Sequence, residues 1–123
     1  MNSENLYISK EDLYRLGNST SSRLSAVRPR EINTITVNDV EVIVADGNGV
    51  SLFNRAGLEK SPLSGWVWEI RSGTTFPPGL KLVERGSKGH HMLAPTHNMP
   101  LNQYIGLLEQ VAIQCRKVFK RQA

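Results

Sequence analysis

Cysteine is almost missing from this sequence: Cys115 stands alone among 123 residues. An internal disulfide and a cysteine zinc cluster are thereby excluded, a usage that suits a reducing compartment. No apolar run approaches the roughly 18 to 20 residues of a membrane span. The polar N-terminal stretch lacks the apolar centre of an export signal, so neither membrane insertion nor the cleaved-signal route is expected. Familiar chemical signatures are also absent. There is no Gly-rich loop ending in Lys-Ser or Lys-Thr, no His-Glu-x-x-His helix and no serine nucleophile elbow. Nor is there an internal repeat or a low-complexity tail, so residues 1–123 are expected to form a single domain around one core.

What is present is the composition of a soluble globular chain, 39% apolar and 21% charged. The formal charge of +4 favours an acidic partner or nucleic acid through long-range attraction. The cations are dispersed, however, and only Arg116-Lys117 and Lys120-Arg121 cluster. Both pairs fall in what reads as the last turns of a helix, where cations complement the negative end of the dipole. That reading is preferred over an RNA-binding patch.

Leu13-Tyr14-Arg15-Leu16, ending at Gly17, suits a strand with Arg15 on one face. The polar stretch from Asn18 to Arg23 reads as a loop, or as the capped start of a short helix reaching Val27 before Pro29 stops it. Its length and composition would let it lie across a cleft. From Ile32 to Asp46 β-branched residues dominate on both sides of Asn38-Asp39, a hairpin whose turn accepts positive φ. After the Asp46-Gly47-Asn48-Gly49 turn, Val50-Ser51-Leu52-Phe53 is another strand. It runs into Asn54-Arg55-Ala56-Gly57, one helical turn closed by its glycine. Trp66-Val67-Trp68-Glu69-Ile70 alternates, with Trp66, Trp68 and Ile70 assigned to the core face. Phe76-Pro77-Pro78-Gly79 is a rigid turn before strands at Leu80–Val83 and, past the Gly86–Gly89 loop, His90–Ala94. The expected arrangement is a meander of about five to seven short strands.

From Leu101 the period changes. Leu101, Tyr104, Ile105, Leu108, Val111, Ala112, Cys115, Val118 and Phe119 recur at three- and four-residue steps, which predicts one amphipathic helix of about twenty residues packed on the sheet. Cys115 lies on its apolar stripe and reads as a small hydrophobe, not a nucleophile.

All three histidines, His90, His91 and His97, fall where this last strand gives way to the helix. Sheet ends are where clefts form, so these residues are the first candidates for a site's edge. Adjacent strand residues point to opposite faces, so His90 and His91 cannot easily share an ion, and no metal site is expected.

Three runs, in this order and spacing, resemble a known family: Gly49-Val50-Ser51-Leu52-Phe53-Asn54-Arg55-Ala56-Gly57, Thr75-Phe76-Pro77-Pro78-Gly79-Leu80-Lys81, and Gly89-His90-His91-Met92-Leu93-Ala94-Pro95 with Met99 and a basic C-terminal helix. They are similar to the ADP-ribosyltransferase-like toxins exported by type VI secretion that act in the bacterial cytoplasm. The resemblance covers residues 47–122, and Leu13-Tyr14-Arg15 resembles the first-strand Tyr-Arg of many such folds.

The resemblance implies an α+β ADP-ribosyltransferase-like fold: two small, mostly antiparallel sheets packed at an angle around a cleft, with a long C-terminal helix covering one of them. It implies an antibacterial toxin that acts in the target-cell cytoplasm with NAD as substrate, transferring ADP-ribose to a macromolecule or hydrolysing NAD. An acidic cognate immunity protein is the implied partner. The implied site residues are Arg15 as a forked donor to the pyrophosphate, Ser51 shaping the ribose pocket, Phe53 as an aromatic wall, and His90 donating to the ribose. Ser51 and His90 are the catalytic candidates. The family's hydroxyl pair is Val50-Ser51 here, with one member replaced, and no motif singles out a glutamate among Glu59, Glu69, Glu84 and Glu109. Two other readings stay open: a small basic toxin ribonuclease with histidine acid and base, and a partner-binding module that kept the fold without the chemistry.

Overall fold

The structure, a computed structural model, describes residues 7–86 and 89–122. The polar N-terminal stretch through Leu6 and the Ser87-Lys88 part of the expected loop lie outside the described residues. The architecture is α+β. In chain order come β1 (Leu13–Gly17), a single 3-10 turn (Pro29–Glu31), β2 (Thr34–Val37), β3 (Val40–Ile43), β4 (Val50–Phe53), α1 (Arg55–Lys60), β5 (Gly65–Ile70), β6 (Leu80–Arg85), β7 (His90–Pro95), β8 (Met99–Pro100), α2 (Leu101–Ala112) and β9 (Arg116–Arg121). Two antiparallel sheets result, one of six strands ordered β6-β7-β4-β1-β5-β9 and one of three ordered β2-β3-β8.

Local chemistry explains several elements as expected. The β2–β3 turn places Asn38 at φ 51° and Asp39 at φ 64°, the left-handed pair that a two-residue hairpin demands and that Asn and Asp tolerate. Asn54 caps α1, its side chain accepting from the Gly57 N–H at 2.9 Å. Gly57 therefore sits inside the first turn and does not close the helix, which continues to Lys60 because the cap satisfies its early donors. The strand arrangement is not a meander. Only β2–β3 and β6–β7 join sequence neighbours, because the hairpin leaves for the smaller sheet and β4 returns beside β1.

The main core lies between the larger sheet and α2. Leu13, Leu52, Ile70, Leu80 and Leu93 pack there against Tyr104, Leu108 and Val111, with Ile43 and Met99 joining from the smaller sheet. Tyr104 ties the layers together: its hydroxyl donates to the Leu93 carbonyl at 2.6 Å and accepts from the Val50 N–H at 3.1 Å. Gly49 is required beside this contact, since a Cβ there would run into the Leu93 carbonyl. A smaller cluster of Tyr14, Leu58 and Val67 fills the opposite face beneath α1.

The long C-terminal helix is not formed. α2 ends at Ala112, and Arg116–Arg121 form β9 on the outer edge of β5, in register from Gly65↔Arg121 to Glu69↔Arg116 with a bulge between Val67 and Trp68. Arg-Lys-Val-Phe-Lys-Arg fits both periods over so short a span. Strand pairing wins because it satisfies the free backbone edge of β5 and packs Val118 against the smaller cluster. The basic residues consequently do not complement the dipole of their own helix. Arg116 pairs with the buried Glu69 at 3.2 Å, Lys117 sits 4.6 Å above the Trp66 ring, and Arg121 donates to the Ser61 and Leu63 carbonyls just beyond α1. Trp66 and Trp68 are half-buried, not core: Trp66 stands opposite Gly17, which has no side chain to cover it, and the Trp68 indole donates to the Asn18 carbonyl at 2.8 Å. Cys115 is half-buried, and burial pushes its thiol up to about 11, consistent with a packing role.

Leu108 is fully buried where α2 meets the sheet. Leu108→Ala is expected to cost about 2 to 5 kcal/mol in urea denaturation, and an unchanged midpoint would mean that α2 does not anchor the core.

Candidate active site

The site begins where the larger sheet opens. β1 and β4 pair at a single position, Tyr14↔Phe53, and the ladder then stops. Ser51 pairs with Met92 of β7, but its N–H and carbonyl on the β1 side would be left without a strand partner, and an ion pair takes that place. The Ser51 N–H donates to Glu31 Oε2 at 3.1 Å, and the Ser51 carbonyl accepts from an Arg15 terminal nitrogen at 3.0 Å. The same Arg15 nitrogen lies 3.4 Å from Glu31 Oε2, both side chains being more than nine-tenths buried. Arg15's other terminal nitrogen donates to the Arg23 and Ala26 carbonyls at 3.0 and 3.5 Å. Arg23 is held at φ 58°, a conformation costly for a residue with a side chain, and its carbonyl is one of those that Arg15 engages. Desolvation lowers the Arg15 pKa from its ordinary value, opposed chiefly by the Glu31 charge.

Glu31 closes the segment locally as well. Pro29 fixes the first position of the 3-10 turn, and Glu31 Oε1 accepts from the Arg28 N–H at 3.0 Å. Pro29 thus opens a turn here; of the loop and the short helix expected before it, the irregular loop is the one formed.

A pocket of about 350 Å³ lies at this opening, lined by Arg15, Arg28, Arg30, Glu31, Ser51, Phe53, Leu63, His90 and Met92 among others. All four sequence candidates, Arg15, Ser51, Phe53 and His90, therefore meet at one cavity from β1, β4 and β7. The cavity lies on the larger sheet, and no residue of β2, β3 or β8 lines it, so it is not the expected cleft between two sheets. Phe53 and His90 face each other across the β4–β7 register and stack, ring centroids 5.2 Å apart at 19°. Burial, then the neighbouring His91 and Arg85, lowers the His90 pKa, and its Nε2 is buried without a partner among the described residues. The Ser51 hydroxyl makes no hydrogen bond to another described residue.

The other histidines are elsewhere. His91 points to the opposite face, lining a cavity with Tyr7, Leu82 and Glu84, its Nε2 3.5 Å from Glu11. His97 is exposed, its Nδ1 2.9 Å from the Thr96 hydroxyl. Of the glutamates weighed from sequence, Glu69 is buried against Tyr14 and Arg116, Glu84 lines the His91 cavity, and Glu59 and Glu109 are exposed. Glu31, the one carboxylate among the described residues that lines the pocket, went unread in the sequence, as did Arg28 and Arg30. Arg28-Pro29-Arg30-Glu31 did carry a signal: Pro followed two residues later by Glu is the signature of a turn whose acid reaches back to the first N–H.

Over residues 11–119 the chain matches the family described as Tse2 ADP-ribosyltransferase toxin. No curated protein and no solved structure matches it.

Two outcomes follow from this geometry. Glu31→Gln leaves the Arg15 guanidinium buried without its counter-charge and should lower stability by about 3 to 5 kcal/mol in chemical denaturation; wild-type stability would show that the pair does not hold the opening. The His90 imidazole takes up its proton at lower pH folded than unfolded. Its stabilising contribution is therefore complete above the ordinary value near 6.5 and is lost as pH falls towards the folded value. Melting temperatures between about pH 7.5 and about pH 5 should drop further in the wild type than in His90→Gln, and parallel curves would refute the assignment.

Proposed function

From the premise that this chain belongs to the Tse2 ADP-ribosyltransferase toxin family, we propose that it uses NAD as substrate in the pocket at the β1–β4 opening. There it would transfer ADP-ribose to a macromolecule or hydrolyse NAD. The observation that carries this reading is the convergence of Arg15, Ser51, Phe53 and His90, distant in sequence, on one cavity edged by cations.

The donor set fits the ligand. The stacked Phe53–His90 pair offers a flat face to a nicotinamide or adenine ring. The Ser51 hydroxyl, free to donate or accept, suits a ribose hydroxyl, and His90 presents an imidazole that is neutral at physiological pH. Arg15 contributes fixed positive potential at the pocket wall, with Nε as its one nitrogen lacking a partner among the described residues. NAD supplies the bond to be broken, between nicotinamide and ribose. The protein's task is to bind, orient and stabilise charge.

As a type VI effector the protein would act in the cytoplasm of a competing bacterium. An acidic immunity protein, drawn to its +4 charge, would protect the producer. No helix among the described residues is long and apolar enough to cross a membrane.

Incubation with labelled NAD and a cell lysate tests the reading, which requires labelled acceptor or released nicotinamide. Ser51→Ala and His90→Ala should each lose about 1 to 3 kcal/mol of binding or transition-state stabilisation, roughly 5- to 150-fold in turnover. His91→Ala, on the other face of β7, should lose much less. RNA cleavage without NAD loss, or damage confined to His91→Ala, would overturn the site.

A further inference from the structure

We infer that Arg28 and Arg30 form the diphosphate-binding wall of the pocket, a role that the family resemblance implies for Arg15. This rests on the reading of the pocket as an NAD site. Arg15 is poorly placed for the task, because it is 6% exposed and both its terminal nitrogens are already committed to Glu31 and to the Ser51, Arg23 and Ala26 carbonyls. Arg28 and Arg30 differ on each count. Both are exposed, both line the pocket, and among the described residues neither guanidinium has a hydrogen-bond or ion-pair partner. They are carried on one short turn whose backbone is fixed three ways, by Pro29, by the Glu31 N–H donating to the Arg28 carbonyl at 2.9 Å, and by the Glu31 carboxylate on the Arg28 N–H. The side chains are therefore free while their point of origin is not.

Charge balance points the same way. Three arginines, Arg15, Arg28 and Arg30, line one cavity whose lining among the described residues holds a single carboxylate, Glu31. Glu31 is spent on Arg15 and on backbone donors, and repulsion from Arg28 adds a smaller contribution to the desolvation that lowers the Arg15 pKa. Such an excess of positive charge is relieved by an anion with several oxygens spaced for two planar forks. A diphosphate offers that arrangement, and guanidinium groups bind phosphate oxygens in pairs. The stacked Phe53–His90 rings border the same cavity, so a ring and a diphosphate could be held together, as an ADP-ribosyl group requires.

The experiment is calorimetric titration of the full chain with ADP-ribose and with ADP. Arg28→Gln, Arg30→Gln and the double variant are compared with Lys120→Gln, which removes an exposed charge on β9 away from the pocket. Each arginine variant should bind both probes about 10-fold more weakly and the double variant about 100-fold, while Lys120→Gln binds as the wild type does. The KM for NAD should rise by the same factors with kcat held, since the contact is made before and during reaction alike. A double variant that binds ADP-ribose as well as the wild type overturns the assignment. So does a Lys120→Gln variant weakened as much as Arg28→Gln, which would reduce the effect to net charge. A wild-type protein that neither binds ADP-ribose nor consumes NAD fails earlier and overturns the NAD site itself, so the two failures are distinguishable.

Discussion

A buried ion pair stands where a strand ladder should be, and the pocket depends on it. β1 and β4 separate after one paired position, and an opened antiparallel sheet would leave the backbone groups of Ser51 without partners on the β1 side. Glu31 and Arg15 supply one acceptor and one donor to that residue, so the sheet can open without an orphaned amide or carbonyl. A buried pair of this kind contributes little net stability over a well-packed apolar one, because both charges are desolvated. What it specifies is geometry: the separation of two strands, the conformation of Arg23 and the position of the Pro29–Glu31 turn all follow from the same few hydrogen bonds.

The pocket inherits its character from that arrangement. Its strand side carries Ser51, Phe53 and His90, alternate residues of β4 and the facing end of β7, which share one surface because strand side chains alternate. Its loop side carries cations from a turn locked by proline. The result is a cavity with a flat, uncharged aromatic patch at one wall and positive charge at another, a division that matches a ligand made of rings and phosphates. His91, one residue from His90, belongs to a different cavity on the other face of the sheet.

Elsewhere the fold is held by contacts that cross between layers. Tyr104 on α2 completes the hydrogen bonding of Val50 and Leu93 across the β4–β7 pair, so the helix is pinned to the strands that form the pocket floor. β9 closes the other edge of the same sheet, and its cations are largely used within the molecule, on Glu69, on Trp66 and on the carbonyls beyond α1. The cluster that reads as a basic surface in the sequence is thus mostly a set of internal fastenings.

Local patterns were sufficient for much of this. The Asn38-Asp39 hairpin, the strands at Leu13–Gly17, Val50–Phe53, Gly65–Ile70 and His90–Pro95, the start of α2, and the opposite facing of His90 and His91 follow from turn chemistry and from a period of two or of three to four, which neighbouring residues determine by themselves. The grouping of Arg15, Ser51, Phe53 and His90 was also legible, through family resemblance and strand alternation. Three things were decided only by tertiary structure. Arg116–Arg121 became a strand because β5 had an open edge, a fact that no residue of that segment encodes. Trp66 of β5 was left half-buried because Gly17, distant in sequence, stands opposite it. Glu31, Arg28 and Arg30 entered the pocket because Ser51 lacks a strand partner on the β1 side, at the place where β1 and β4 part. Each depends on which backbone groups remain unsatisfied once other strands have paired, and that is a property of the assembled sheet.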